Sequence, residues 1–193
     1  MKEEQLLQKG LWLEYATLFW NVLECGFIIY AGIKASSVAL FGFGIDSLIE
    51  IFASLVVIWH LKQINKKNEA IAEKLIGIAF FLISLYILGE SFFTLTNHTH
   101  SKPSMLGMVS LALTLIVMFL LAYLKGKVGK KLNNSVLMKE SRVTMIDGML
   151  ATSTLIGVSL NAFLHLWWAD PFAGLIIVYY GMQEGIHALR AKN

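Results

Sequence analysis

The chain holds one cysteine, two prolines and little charge: Asp, Glu, Lys and Arg make up 15% of its 193 residues. Soluble domains carry about 25% charged residues, so this is not the composition of a soluble globule. Cys25 alone cannot close an internal disulfide, which excludes a disulfide scaffold. Pro103 and Pro171 stand where apolar runs open, so no run is proline-kinked. No CxxC, HExxH, Walker or glycine-rich phosphate loop occurs. An enzyme is not indicated, since no nucleophile–base pair or cofactor motif is present. Lysine and arginine are also scarce inside the apolar runs: none is expected deep within one. Carboxylates in those runs therefore have no built-in counter-charge.

What is present is hydrocarbon-compatible sequence. Hydrophobic residues reach 56% and mean hydropathy is +0.65. Six segments approach or exceed the roughly 20 residues that cross a bilayer: about 12–33, 36–60, 72–96, 104–124, 142–166 and 171–189. The first contains Glu14, Asn21 and Glu24 and lacks a small-residue cleavage site, so it reads as a span and not a signal peptide. Lys102-Pro103 opens the fourth span. Asp170-Pro171 is expected to open the sixth as N-cap and first-turn proline. The expected fold is an all-α integral membrane protein of six transmembrane helices. Residues 1–193 form one domain in this reading, with no soluble C-terminal domain.

Basic residues sort by side. Lys2, Lys9, Lys62, Lys66, Lys67, Lys74, Lys125, Lys127, Lys130, Lys131, Lys139, Arg142, Arg190 and Lys192 fall on one side, fourteen of the 16. Lys34 and Lys102 fall on the other. The positive-inside rule then predicts that both termini are cytoplasmic. The basic stretch from Lys125 to Lys139 is interleaved with Gly and Asn at a membrane edge. It suits orientation and anionic lipid and not nucleic acid.

The acids inside the spans carry the chemistry. Asp46 and Glu50 lie four residues apart on one face of the second span. A carboxylate in hydrocarbon costs several kcal/mol unless it is paired, so the pair must hold a cation, protons, or each in turn. Glu24 and Asn21 lie in the first span and Asp147 enters the fifth. If spans one, two and five pack together, Asn21, Glu24, Asp46, Glu50 and Asp147 form one metal-binding cluster. The alternative for the pair is a protonated, hydrogen-bonded link between helices, and for Asn21 interhelical bonding competes with ligation. Glu90 and Glu184 lie nearer span ends and read as interfacial. His98 and His100 form an exposed i, i+2 pair that makes a weak metal site. His60, His165 and His187 read as interfacial. Small residues flank the acids: Gly42, Gly44, Ala53 and Ser54 on span two, and Gly148, Ala151, Ser153 and Gly157 on span five. They suit close helix approach.

Ile45-Asp46-Ser47-Leu48-Ile49-Glu50 is echoed by Ile146-Asp147-Gly148-Met149-Leu150-Ala151. Each lies on the second helix of a three-helix half. Halves of three spans have opposite orientation, the pattern of inverted-repeat transporters with a midplane site.

Ser37-Val38-Ala39-Leu40 with Gly44-Ile45-Asp46-Ser47-Leu48-Ile49-Glu50 resembles the second helix of the cation diffusion facilitators, with its serine-alanine-leucine entry and DxxxD pattern. Arg142 to Gly157, followed by Trp167-Trp168-Ala169-Asp170-Pro171-Phe172-Ala173-Gly174, resembles their fifth helix and the entry to the sixth. The likeness covers nearly the whole chain and looks most like a small bacterial branch with only the membrane domain. It implies a homodimeric exporter in the bacterial inner membrane, exchanging a divalent metal for protons by alternating access. Asp46 and Glu50 match the family's first ligand pair and Asp147 the first ligand of the fifth helix. Ala151 stands where the family has its last aspartate, and Glu24 or Asn21 is the expected replacement. No fixed cofactor is implied. Zinc ranks narrowly first as cargo on the resemblance, although an all-oxygen site suits manganese or iron better, and cobalt is a further option. The other reading is a non-transporting metal-binding or scaffolding membrane protein with a degenerate site.

Overall fold

The computed structural model describes residues 2–62, 66–98 and 101–190, and among them every regular element is a helix. There are six: α1 Lys2–Ala35, α2 Val38–Lys62, α3 Lys66–Asn97, α4 Met105–Leu132, α5 Ser135–Leu164 and α6 Ala169–Arg190. Four stretches are long and apolar enough to cross a membrane: Glu4–Ala35, Val38–Trp59, Met105–Leu132 and Glu140–Leu164. The other two helices, α3 of 32 residues and α6 of 22, extend about 48 and 33 Å, enough to cross the roughly 30 Å of hydrocarbon. Trp12, Phe19, Phe92, Ile116, Phe163 and Tyr179 stand exposed on the outside. Water-soluble surfaces rarely expose apolar side chains on this scale; here they face lipid. The chain is an integral membrane protein.

The helices overrun the expected spans. The α4–α5 connection is only Asn133 and Asn134. Asn133 ends α4 in the left-handed conformation, and the Asn134 side chain accepts from Leu137 N to start α5. Most of the basic stretch Lys125–Lys139 is therefore helix and not edge loop. At the other end, Ser36 takes a left-handed φ of 52° between α1 and α2. The Gly32 backbone lies so close to α2 that a Cβ there would meet Phe41 N at 2.7 Å. Gly157 does the same between α5 and α6, where a Cβ would fall 2.6 Å from Ala173 Cβ.

Asp170 corrects an expectation. It lies in the first turn of α6, but its carboxylate reaches α2: Ser37 Oγ donates to Oδ1 and Val38 N donates to Oδ2 at 3.0 Å. The Ser37 hydroxyl accepts from Leu40 N at 3.2 Å. The acid caps the free N–H groups of a neighbouring helix start and ties α6 to the α1–α2 turn.

α1 packs on α2, α4 on α5 and α3 on α6, while α1 meets α4 and α2 meets α5. Exchanging the first three helices for the last three maps these pairings onto themselves. Apolar residues are buried at both ends, Val57, Leu61, Leu121 and Leu137 among them toward the Asn133 end, and the main cluster lies toward the other. Ile28, Ala31, Leu40, Phe43, Met108, Leu111, Val158 and Ile177 cluster toward the Ser36 end. Glu14, Thr17, Ser54, Lys125, Glu140 and Thr144 are buried toward the Asn133 end. The polar site lies where the two zones meet.

Candidate metal-binding site

All five expected site residues are buried: Asn21, Glu24, Asp46, Glu50 and Asp147. Their spacing explains this. Asn21 and Glu24 continue a 3–4–3 face from Glu14 and Thr17 that turns α1 toward α4. Asp46, Glu50 and Ser54 form an i, i+4, i+8 stripe on α2.

The structure divides the five into two groups. A cleft between α2, α5 and α6 is lined by Asp46, Glu50 and Asp147, with Val143, Ile146, Leu150, Tyr180 and Gly181. It leaves room for about one water-sized sphere, the scale of a single small cation. Glu50 Oε2 and both Asp147 carboxylate oxygens have no hydrogen-bond partner among the described residues. Asp147 lies within electrostatic reach of Glu50, Glu24 and Asp46. Glu50 and Asp147 thus meet in the cleft with oxygens unused.

Glu24 and Asn21 do not line the cleft. Trp20 Nε1 donates to Thr114 Oγ1 at 3.2 Å, and the Thr114 hydroxyl donates to Glu24 Oε1. Glu24 Oε2 and both polar atoms of the Asn21 side chain have no partner among the described residues. Glu24 is thus engaged from α4 through Thr114. Ala151 is buried in the apolar core. Among the described residues no three His, Cys, Asp or Glu side chains are grouped closely enough to hold a metal ion. The carboxylates face one cleft without closing a coordination shell.

Thr114, Trp20 and Tyr180 escape a reading of the acids alone. A larger omission is Lys125. It was expected at a membrane edge, yet it lies inside α4 with 0% exposure. Its ammonium donates to Glu14 Oε2 at 3.1 Å, Glu140 Oε1 at 3.4 Å and Thr144 Oγ1 at 3.1 Å. The expectation that no lysine lies deep in the bundle fails because α4 continues past residue 124. Spacing held the signal: Lys125 is seven residues after Met118 and eleven after Thr114, on one buried face.

His98 lies exposed at the end of α3, its ring edge-on to Trp167 with centroids 5.0 Å apart. His165 ends α5 in the left-handed conformation. Glu90 is half-buried. His100 lies outside the described residues, as do the side chains of Glu184, His60 and His187.

Residues 15–192 match the family model described as the cation efflux transmembrane domain. The chain belongs to the cation efflux family. This is a family of membrane transporters. Among curated proteins, the chain is 24% identical over 190 residues to transmembrane protein 163 of Xenopus laevis, covering 94% of this chain and 66% of that protein. It is 24% identical over 206 residues to the manganese efflux system protein MneP of Bacillus subtilis, covering 98% of this chain and 68% of MneP. It is 28% identical over 127 residues to the cadmium, cobalt and zinc/H(+)-K(+) antiporter of the same organism, covering 65% and 40%. The chain spans about two thirds of the length of the first two.

Proposed function

We propose that the chain exports a divalent transition-metal cation in exchange for protons, with Asp46, Glu50 and Asp147 as the ligands it offers in the α2–α5–α6 cleft. The observation that carries this reading is the set of buried, unpartnered oxygens on Glu50 and Asp147 beside Asp46, in a cleft sized for one ion. Buried charge of one sign is costly unless a counter-ion or protons neutralise it. A divalent ion supplies two charges at once, and protons replace it for the return step.

The distribution of charge supports a direction, since the lysines concentrate at the Asn133 end. The positive-inside rule assigns that end, and both termini, to the cytoplasm. Export then runs from the Asn133 end to the Ser36 end by alternating access. Homodimer formation is part of the same proposal and rests on the family alone. The donors are all oxygen, which suits manganese(II) better than zinc. Near-full-length similarity to a manganese efflux protein supports that order over the zinc-first ranking.

The second reading, a protein that binds metal without moving it, is favoured by Ala151 and by the absence of a closed three-ligand group among the described residues. Flux separates the two. Proteoliposomes with an imposed pH gradient and an entrapped metal-sensitive dye should accumulate manganese, with zinc, cobalt and iron as comparisons. Asp46→Ala, Glu50→Ala and Asp147→Ala should each lower the initial rate at least about tenfold, the scale of about 1.4 kcal/mol of lost binding. Wild-type rates for every metal in Asp46→Ala and Glu50→Ala would show that the cleft is not the transport site. Tight binding without flux would favour the second reading.

A further inference from the structure

We propose that Glu14, Glu140 and Lys125 form a proton-holding site, separate from the cargo carboxylates and in electrostatic communication with them through Glu50. Its coupling role rests on the export reading; its existence does not.

Lys125 contributes one positive charge and three donors, and the three are matched by Glu14 Oε2, Glu140 Oε1 and Thr144 Oγ1 at 3.1 to 3.4 Å. Two carboxylates face it. With both ionised, the cluster carries one surplus negative charge. Lys125 and Glu14 are each 0% exposed and Glu140 is buried, so that surplus is out of water. A buried, uncompensated charge costs several kcal/mol, and the common escape is to bind a proton. Glu14 Oε1 is buried with no hydrogen-bond partner among the described residues. A proton can form an O–H bond there while Oε2 keeps its contact with the ammonium. The cluster then holds one proton and is neutral.

The neighbouring charges set the coupling. α2 presents Glu50 and, farther off, Asp46; α5 presents Asp147 as well as Glu140; α4 presents Lys125 itself. Lys62 of α2 lies over the Tyr15 ring on the lipid side of α1, 5.4 Å from its centroid. From α6, Tyr180 lines the cleft beside Asp147. Glu50 feels Glu140, Lys125 and Glu14. Seven residues separate Glu140 from Asp147 on α5, about 10 Å along the axis. A +2 charge arriving at that distance, at an effective dielectric of about 20, favours loss of the cluster's proton by roughly a few hundredfold. Cargo binding therefore releases the proton to water, breaking one O–H bond and leaving a carboxylate. Cargo departure restores it.

Single conservative variants test this. Glu14→Gln and Glu140→Gln each leave one carboxylate against Lys125, a balanced pair with no surplus charge and nearly unchanged shape. Infrared difference spectra of the purified protein without metal, taken from alkaline to neutral pH, should show one protonated-carboxyl carbonyl band in wild type that is lost in both variants, while any bands of the cleft acids persist. Removing both acids should delete no further band, since the two share one proton. Calorimetric titration with manganese chloride in two buffers of different ionisation enthalpy should give about one fewer proton released per ion bound in each variant. Unchanged spectra and unchanged proton release in Glu14→Gln and Glu140→Gln overturn the proposal. So does a wild type that shows neither the band nor proton release. A wild type that binds no metal but shows the band, lost in both variants, leaves the proton site standing and removes the export reading.

Discussion

Replacing Lys125 by methionine separates a structural salt bridge from an incidental one. The substitution nearly conserves volume but deletes the charge. It also removes all three hydrogen bonds of the ammonium, to Glu14, Glu140 and Thr144. The two carboxylates stay buried and face each other without a cation. Removing one partner of a buried ion pair costs about 3–5 kcal/mol, because the remaining charge is uncompensated. Protonation of one acid offsets part of this, so the lower end applies where both can neutralise. For a chain of this size about 1 kcal/mol lowers Tm by roughly 2–4 °C, which predicts a fall of about 6–12 °C.

The control is the neutral triple variant Lys125→Met, Glu14→Gln, Glu140→Gln. Replacing a whole buried ion cluster by uncharged groups of similar volume is often neutral or mildly stabilising, so its Tm should recover most of the loss. Both are measured by thermal unfolding of the detergent-solubilised protein, followed by fluorescence-detected size exclusion. Lys125→Met melting with wild type would refute the reasoning, since it would mean that the buried acids do not depend on the lysine. A triple variant no more stable than the single would refute it differently: packing, not charge, would then be what the lysine supplies.

Asp170→Ala should destabilise the Ser36 end by about 1–3 kcal/mol, because it strips the acceptors from Ser37 Oγ and Val38 N. Hydrogen exchange at the start of α2 should rise, and unchanged protection there would show that the link to α6 does not hold the turn. Gly157→Val should cost more than about 2 kcal/mol and separate α5 from α6, because its Cβ would meet Ala173 Cβ at 2.6 Å and Ala169 O at 2.9 Å. Its thermal midpoint, with Gly26→Ala as the unhindered comparison, checks this.

The class of fold was legible because hydrocarbon imposes length and polarity on every span. The acids Asp46, Glu50 and Asp147 were legible for the same reason, since an unpaired carboxylate in an apolar run stands out. Lys125 was not, because a lysine at the end of an apolar run looks the same whether the helix stops there or continues. The absence of a helix breaker before Asn133 was the available sign. Asp170 was misplaced because Asp-Pro fits a local N-cap as well as a cap on a neighbouring helix, and only tertiary packing decides. Glu24 was expected to reach across to the cleft. Its i, i+3 spacing from Asn21 turns it toward α4, where Thr114 engages it.

The place of the buried lysine explains why oxygens of Glu50 and Asp147 are left open. The spans carry acids at two depths, about 10 Å apart along α5, at Glu140 and Asp147. A tethered ammonium between Asp46, Glu50 and Asp147 would satisfy them permanently, and an arriving ion would have to displace a covalently held competitor. Moving that ammonium one layer toward the Asn133 end gives a fixed cation to Glu14 and Glu140. It leaves Glu50 and Asp147 with unpartnered oxygens. The fixed charge still acts on Glu50 through space. One layer is stabilised by a charge that cannot leave, and the other is kept for charges that must.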